Sequence, residues 1–293
     1  MIECRPYNYD TLGRKLHMPA KILIGCAGYS YPDWKGIFYP PTLPAGKQLE
    51  YYSRHFPLVE VNFTFYRMPS RASFARAAER TERKTIFNVK LHQDFTHTRE
   101  ISEQSAAEFV EAVKPLADEG VFGCLLAQFP FSFRLDDASL NWIDTLRELF
   151  DPHPLAVEFR NGDWADESVF DFLKRRGLIF CIVDEPKLRG LMPPVTWITS
   201  GTAYIRFHGR NAALWWDPPE SSLRYDYLYH DDELAEWVQK ILRVQQQCEK
   251  LYIIMNNHFS GNAVRNAKTL QQLLGLEAPP LENHDAGKQE MLF

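Results

Sequence analysis

Four titratable side chains in this sequence could move protons in a reaction, and each lies towards the end of a short apolar run. They are a glutamate, an aspartate, a histidine and a lysine: Glu158, Asp184, His208 and Lys90. Carboxylates and imidazoles are common general acids and bases, and a lysine can join them when neighbouring cations such as Arg160 or Arg206 depress its pKa. We therefore interpret these four as candidate catalytic residues.

A second set of residues could bind a substrate without reacting with it. An arginine holds a phosphate or carboxylate through two parallel hydrogen bonds, and side-chain amides orient hydroxyl or amide groups. Aromatic rings can stack on bases or sugars. The candidate binding residues are Glu60, Asn62, Tyr66, Gln128, Arg160, Arg206, Asn256, Asn257 and Trp34.

Other chemistries have less support in the sequence. It contains no G-x-S-x-G nucleophile elbow, P-loop, G-x-G-x-x-G or H-E-x-x-H motif. Glu158, Asp184 and His208 together could hold a divalent metal, since carboxylate and imidazole ligands suit such ions. The cations predicted beside them argue against this metal site, so we expect no cofactor.

Short β-branched or aromatic runs alternate with helical patterns and must position these residues. The predicted strands are 21–28, 58–65, 85–91, 123–129, 154–160, 178–185, 203–209 and 251–257. The predicted helices are 46–56, 70–81, 102–120, 136–150, 166–177, 231–247 and 261–275, and only the sixth connection, around 193–201, lacks one. This alternation is typical of parallel strands joined by crossovers, and eight units in one chain predict an α/β fold with a single (β/α)8 TIM-type barrel.

Residues two apart in a strand share a face, and the predicted strands alternate apolar and polar residues. In the second strand, Val59 and Val61 share one face while Glu60 and Asn62 share the other. Because the apolar face must contact the helices, we expect the polar face to point into the barrel. These polar residues, Asp184 among them, lie towards the carboxyl ends of the strands, where barrel active sites form.

The charged members of this predicted ring also have a structural interpretation. Three cations and three anions could simply neutralise one another: Lys90, Arg160, Arg206, Glu60, Glu158 and Asp184. Yet buried ion pairs are seldom more stabilising than an apolar core, so a whole layer of polar residues is costly unless it is used. We therefore favour a functional site over a structural network.

Two long loops are expected to cover the barrel mouth, one at 29–44 after the first strand and one at 210–230 after the seventh. Loops of this length are usually functional. Their rings, Trp34, Trp215, Trp216 and Tyr225, could stack on a ligand or simply pack the loops against the barrel.

Composition bounds the class of protein. The chain has 293 residues, 45% of them hydrophobic, and a net charge of −5, so a general nucleic-acid-binding surface is not expected. Five cysteines without C-x-x-C spacing, three of them in apolar runs, indicate reduced, buried thiols. With no predicted membrane span or signal peptide, we expect a cytoplasmic protein. We divide it into an N-terminal extension (1–20), the barrel domain (21–276) and a linker with a C-terminal tail (277–293).

A series of motifs then runs in order from about Lys21 to Gly275. They are GCAGYSYPDWKGIFYPPTLP (25–44), EVNFTFYRMPS (60–70), NVKLHQDFTH (88–97), QFP (128–130), AVEFRNGDW (156–164), VDEP (183–186), YIRFHGRN (204–211) and NNHFSGNAVRNA (256–267). With these motifs the sequence resembles the YecE-like proteins, also called domain of unknown function seventy-two. The resemblance implies a TIM-type barrel but no particular reaction.

The last residues, KQEMLF, contain a second resemblance. Gln289, Leu292 and Phe293 match the Q-x-x-L-F peptide with which bacterial proteins dock on the replicative sliding clamp. In such docking, an extended peptide places its Leu and Phe in an apolar groove. The alternative is a tail that packs on its own domain.

Three functions remain open at this point. The leading hypothesis is an enzyme that binds a phosphate-bearing substrate, such as one related to nucleic acid, through Arg160, Arg206 and Lys90, with Glu158, Asp184 and His208 handling protons. A sugar isomerase or hydrolase with paired carboxylates is the second, and a non-catalytic module recruited through its tail is the third. The oligomeric state is left open.

Overall fold

The computed structural model describes residues 19–276. Its eight strands are β1 (Lys21–Ala27), β2 (Leu58–Val61), β3 (Ile86–Lys90), β4 (Phe122–Gln128), β5 (Leu155–Glu158), β6 (Ile179–Asp184), β7 (Thr202–Phe207) and β8 (Lys250–Met255). Its α-helices are α1 (Gln48–His55), α2 (Arg71–Arg80), α3 (Glu103–Asp118), α4 (Asp137–Leu149), α5 (Glu167–Arg175), α6 (Asp231–Gln245) and α7 (Asn262–Leu273).

The strands close into one parallel barrel. Each strand pairs with the next along the chain, and β8 returns to pair with β1 over six residue pairs. The predicted (β/α)8 fold is therefore confirmed. The sixth connection, between β6 and β7, contains no α-helix within residues 185–201, as the sequence indicated.

Local sequence signals explain several helix boundaries. Ser102 begins α3 with a capping box, in which its hydroxyl accepts a bond from the Ser105 backbone N–H (3.1 Å) and the Ser105 hydroxyl accepts one from the Ser102 N–H (3.1 Å). Such caps satisfy backbone N–H groups that have no partner within the helix. Gly177, just after α5, adopts a φ of +63°, a left-handed conformation that favours glycine. Both signals were read correctly from the sequence.

Strand β2 is shorter than predicted. It ends at Val61 rather than Phe65, because Asn62 leaves the extended conformation (φ −109°, ψ −14°) and Phe63–Phe65 form a helical turn. The hydroxyl of Thr64 fixes this turn by donating to the carbonyls of Val61 (3.2 Å) and Lys90 (2.5 Å). The turn thus links the carboxyl ends of β2 and β3, and we call residues 62–66 the β2 turn.

The apolar faces of the strands and helices form the core. Phe74 of α2, Val113 of α3 and Leu173 of α5 are all buried in it. Within the described residues the four cysteines are free and buried, as predicted: Cys26, Cys124, Cys181 and Cys248. No helix between residues 19 and 276 is long and apolar enough to cross a membrane.

Candidate active site

Arg206 lies at the centre of an ion network inside the barrel. Its guanidinium donates through Nη2 to Glu60 Oε1 (2.7 Å) and through Nη1 to Glu158 Oε2, so one cation bridges β2 and β5 from β7. The Tyr204 hydroxyl donates to Glu60 Oε2 (2.6 Å). All four side chains are buried. Burial alone would favour the neutral form of Glu158, but Arg206 and Arg160 outweigh it and hold the pKa of Glu158 well below its usual range.

Arg160 extends this network to the end of β6. Its Nε lies 2.8 Å from Glu158 Oε1, and its Nη1 donates to Glu185 Oε2 (3.0 Å). Glu185 is also fixed by the backbone N–H of Met192, which donates to Oε1 (3.2 Å). Burial raises the pKa of Glu185 to about 7, although Arg160 opposes the shift. Glu185 can therefore exchange a proton near neutral pH.

His208 is neutral, and its hydrogen bonds define its tautomer. Two donors, Asn256 Nδ2 (2.9 Å) and Arg160 Nη2 (3.4 Å), point to Nδ1, so this nitrogen is the acceptor. The proton is then on Nε2, which lies 3.2 Å from Glu158 Oε1. Burial and the nearby Arg160 lower the pKa of His208 to about 3. The imidazole orients Glu158 and is poorly suited to act as a base.

Lys90 differs from the other cations of the barrel. Its Nζ donates to Gln128 Oε1 (2.8 Å) and lies 4.2 Å from the centre of the Phe65 ring, but within residues 19–276 it has no carboxylate partner. Burial, followed by the charge of Arg206, lowers the pKa of Lys90 to about 7. The residue as a whole is partly buried and lies at the end of β3, at the barrel mouth.

His97 accompanies Lys90 at the barrel mouth. Its ring packs edge-on against Phe65, with 4.8 Å between centroids, and its Nδ1 lies 2.9 Å from the Thr96 hydroxyl. Burial, then Lys90 and Arg160, lower the pKa of His97 to about 4, so this imidazole is neutral at physiological pH. Phe65 thus contacts both the Lys90 amine and the half-buried His97 imidazole.

Asp184 does not join the ring, which corrects the sequence-based placement. Its carboxylate accepts bonds from the Trp237 indole (2.7 Å), the Tyr229 hydroxyl (2.6 Å) and two nitrogens of Arg210 (2.7 and 2.8 Å). Trp237 belongs to α6, so the aspartate faces the helices. The strand alternation explains this outcome. Cys181 contacts Glu158 inside the barrel, and residues an even number of positions apart in a strand share a face. Glu185 is therefore on the same side as Cys181, and Asp184 is on the opposite side.

Two other predicted binding residues also have structural partners. Asn257 is fully buried and donates to the Tyr227 carbonyl and to Asn266 Oδ1, both at 2.8 Å. Trp34 is fully buried, and its indole donates to the His258 carbonyl (2.8 Å). Neither side chain is placed to stack on or bind a substrate. For Trp34, the packing alternative considered for the loop aromatics is the one observed.

Asn62 and Tyr66 lie in the β2 turn, away from the ion network. Both line a surface cleft beside α2, and Tyr66 is 76% exposed. The network and the mouth therefore bring together eight of the predicted residues: Glu60, Lys90, Gln128, Glu158, Arg160, Arg206, His208 and Asn256.

The loop after β7 (residues 210–230) covers one side of the mouth. The Arg160 guanidinium lies 5.7 Å from the centre of the Trp215 ring, and the Tyr225 ring lies 6.4 Å from that of His208. Trp215 is buried, whereas Trp216 is half exposed and packs against Phe131. This loop therefore limits access to the Arg160 side of the network.

No three histidine, cysteine, aspartate or glutamate side chains of residues 19–276 are grouped so that they could hold a metal ion. Asp184, one of the three ligands considered, faces α6, whereas Glu158 is bound to two arginines.

Sequence reasoning missed three residues near the site: Glu185, His97 and Phe65. Alternation could have found Glu185, since it shares the parity of Cys181. His97 lies in a π-type turn, Asp94–Thr98, that follows β3, and no strand or helix periodicity marks this turn. Phe65 was placed on a strand that the structure ends four residues earlier.

Comparison with known proteins decides the family. A family model described as "Protein of unknown function DUF72" matches residues 23–290. The chain belongs to the DUF72 family. The UPF0759 protein YunF of Bacillus subtilis (strain 168) is 32% identical over 272 residues, which are 87% of this chain and 95% of YunF.

Solved DUF72 structures agree with the barrel. A DUF72 family protein from Thermotoga maritima MSB8 is 36% identical, with a TM-score of 0.81 over 87% of this chain and 99% of its own. A second, from Enterococcus faecalis V583, is 25% identical, with a TM-score of 0.78 over 89% and 98%. The resemblance noted in the sequence is therefore confirmed. The clamp-like residues Gln289, Leu292 and Phe293 lie outside the described residues, so sliding-clamp docking stays a prediction.

Proposed function

We propose that this DUF72 protein is an enzyme that acts on a small carbonyl compound through the amine of Lys90. The observation that carries the proposal is the environment of Lys90, a partly buried amine at the barrel mouth without a carboxylate partner in the described chain and with a pKa lowered to about 7. Near neutral pH about half of such amines are unprotonated, whereas an ordinary lysine with a pKa near 10.4 is almost wholly protonated. Only the unprotonated amine is a nucleophile.

The proposed covalent step is imine formation. The lone pair of Lys90 Nζ attacks the carbonyl carbon, the two protons of the amine pass to the carbonyl oxygen, and this oxygen leaves as water, so that a C=N bond to the lysine remains. A proton taken up from water then gives the protonated imine. The protonated imine then accepts the electron pair of an adjacent C–H or C–C bond when that bond breaks. This chemistry corresponds to a lyase or an isomerase, and a sugar isomerase was one of the functions considered from the sequence.

Neighbouring residues support the two requirements of this step. Gln128 Oε1 positions the amine by accepting a hydrogen bond from it (2.8 Å), and the Phe65 ring packs against Nζ. His97, neutral and half-buried against the same ring, can donate to or accept from the substrate oxygen. Arg206 and Arg160 act on Lys90 indirectly, because their charges help to lower its pKa.

The two enzyme alternatives have less support from the geometry. A phosphate held by Arg160 and Arg206 would have to displace the carboxylates of Glu60, Glu158 and Glu185 from both guanidiniums. Paired-carboxylate hydrolysis requires carboxylates that reach the substrate, whereas Glu60 and Glu158 are fully buried and bound to Arg206.

Borohydride trapping tests the proposal. The protein is incubated at pH 7.5 with glycolaldehyde or with pyruvate, reduced with sodium borohydride, and digested for peptide mass spectrometry. We expect the reduced adduct on Lys90 at a yield at least about tenfold higher than on other lysines, because of its larger unprotonated fraction. Lys250, exposed at the opposite end of the barrel at the start of β8, is the internal control.

The variant Lys90→Arg keeps a cation at this position but cannot form an imine. It should lose the adduct at residue 90 while the labelling of Lys250 stays unchanged. Equal labelling of Lys90 and Lys250 with both carbonyl compounds would contradict the proposal.

A further inference from the structure

A surface cleft of about 880 Å³ lies beside the β2 turn, outside the ion network and away from Lys90. The loop after β1, the β2 turn and helix α2 form its walls. On the loop side the lining includes Gly28, Tyr29, Ser30 and Tyr31, and on the helix side Ser70, Ser73, Arg76 and Arg80. Nothing in the function proposed above uses this cleft.

The charge of the cleft is one-sided. Three arginines line it, Arg67, Arg76 and Arg80, and none of the described residues that line it is an aspartate or glutamate. Arg80 is engaged with Glu50 (3.3 Å) and with the Gly46 carbonyl. Within residues 19–276, neither Arg67 nor Arg76 forms an ion pair, and both are exposed. Two guanidiniums are therefore available to an anion, in a protein whose net charge is −5.

A neighbouring cleft shows that this asymmetry is local. The second cleft, of about 790 Å³, shares Arg76 and Arg80, but it is also lined by Glu50, Glu79 and Glu82. An anion entering there meets carboxylates, whereas an anion entering the cleft beside the β2 turn does not.

The remaining lining suits a flat ring with polar substituents. Tyr66 is 76% exposed at the rim, a high exposure for a large aromatic side chain. The Oδ1 atom of Asn62, a residue that lines the cleft, is buried and accepts no hydrogen bond from the described residues. Ser30, Ser70 and Ser73 add hydroxyls along the walls.

We propose that this cleft binds a phosphate monoester that carries a flat ring. Arg67 and Arg76 hold the phosphate, and Tyr66 stacks on the ring. Guanidinium groups bind phosphate through paired N–H donors, and tyrosine stacks on planar rings of many kinds.

The site is independent of the reaction proposed at Lys90. In the β2 turn, Phe65 faces the lysine amine, whereas Asn62, Phe63 and Tyr66 line the cleft. Lys90 is not among the residues that line it. Binding at the cleft can therefore be measured whether or not Lys90 forms an imine.

Isothermal titration calorimetry with adenosine 5′-monophosphate, which combines a phosphate monoester and a flat ring, tests the proposal. At low ionic strength, where exposed charges are weakly screened, we expect the nucleotide to bind at least about tenfold more tightly than adenosine, which lacks the phosphate. The double variant Arg67→Ala/Arg76→Ala should lose about tenfold or more of the nucleotide affinity and little of the adenosine affinity. Tyr66→Ala should weaken both ligands.

Helix α2 supplies a matched control. Arg71 is an exposed arginine on the same helix, but its guanidinium pairs with Glu111 (3.2 Å) and Asp118 (3.8 Å) of α3, and it does not line the cleft. Arg71→Ala should bind the nucleotide as the native chain does, and so should Lys90→Met. The proposal is overturned by equal affinities for nucleotide and nucleoside, by an equal loss in Arg71→Ala, or by no detectable nucleotide binding at millimolar concentration.

Discussion

At the scale of single residues, Lys90 shows how burial and charge prepare an amine. A lysine whose pKa is lowered in the folded state binds fewer protons there than in the unfolded chain. Between about pH 7 and the unfolded value near 10.4, stability therefore rises with pH, and below pH 7 the protonated amine destabilises the fold by its full amount.

The stability of the variant Lys90→Met, measured relative to that of the native chain, should consequently be greater at low pH than at high pH. We expect its free energy of unfolding, compared with that of the native chain, to be more favourable at pH 6.5 than at pH 9.5, by at most about 1.4 kcal/mol per pH unit. Urea unfolding at the two pH values measures this difference, in which the loss of the pH-independent contact with Gln128 cancels.

Lys84→Met is the control for this comparison, because Lys84 is exposed and its partner Glu82 is exposed too. Its effect should stay within about 0.5 kcal/mol at both pH values. A Lys90→Met effect that does not change between pH 6.5 and 9.5 would show that the amine is protonated throughout.

The sequence predicted the composition of the site better than its geometry. Polar residues at alternate positions correctly indicated that Glu60, Glu158 and Arg206 face the barrel. At the end of β6, the two acidic residues Asp184 and Glu185 are adjacent. Which of them faces the barrel interior depends on which alternate positions of the strand point inwards, and the polarity of the residues does not show this. The pKa of Lys90 could be suspected from neighbouring cations, but its main cause is burial, which depends on the folded chain.

At the scale of elements, Asp184 holds the loop after β7 in place. It binds Arg210 at the start of that loop, Tyr229 at its end and Trp237 in the following helix. Since Trp215 and Tyr225 of the same loop lie beside Arg160 and His208, this buried carboxylate determines how the mouth is covered.

Asp184→Asn should therefore loosen the loop rather than change the chemistry directly. Loss of the charge weakens both bonds from Arg210, and we expect a destabilisation of about 1–3 kcal/mol. Hydrogen exchange should accelerate in residues 210–230, as measured by mass spectrometry. Asp171→Asn, at an exposed position of α5, is the control and should leave this exchange unchanged. Unaltered exchange of the loop in Asp184→Asn would exclude the anchoring role.

The elements themselves were predicted well because their signals are local. Eight strands, seven helices and the connection without a helix all follow from periodicity and capping residues. The end of β2 could not be read in this way, because the bond from Thr64 to the Lys90 carbonyl joins two strands and has no trace in the local pattern. Burial of Trp34 likewise depends on a contact with His258, more than 200 residues away.

At the scale of the whole molecule, the ion network joins strands that are not neighbours. Arg206 of β7 bonds to Glu60 of β2 and Glu158 of β5, and Arg160 continues the connection to Glu185 beyond β6. The structural interpretation of these charges thus describes the interior of the barrel. For Lys90 at its mouth, the functional interpretation stays a proposal.

Arg206→Met should accordingly affect the barrel as a unit. It leaves Glu60 and Glu158 buried without their common partner, and breaking a buried ion pair in this way costs about 3–5 kcal/mol.

In the native chain Glu158 has a lowered pKa, so its contribution is present above about pH 4.5 and is lost as the pH falls further. In the variant Glu158 keeps only Arg160 as a cationic partner, so burial favours its protonation more than in the native chain and the stability gap should narrow between pH 8 and pH 5. Urea unfolding monitored by circular dichroism at both pH values measures the gap, and Arg206→Lys, which keeps one cation between the two glutamates, should lose less. A gap equal for both variants, or constant with pH, would mean that the network does not hold the barrel together.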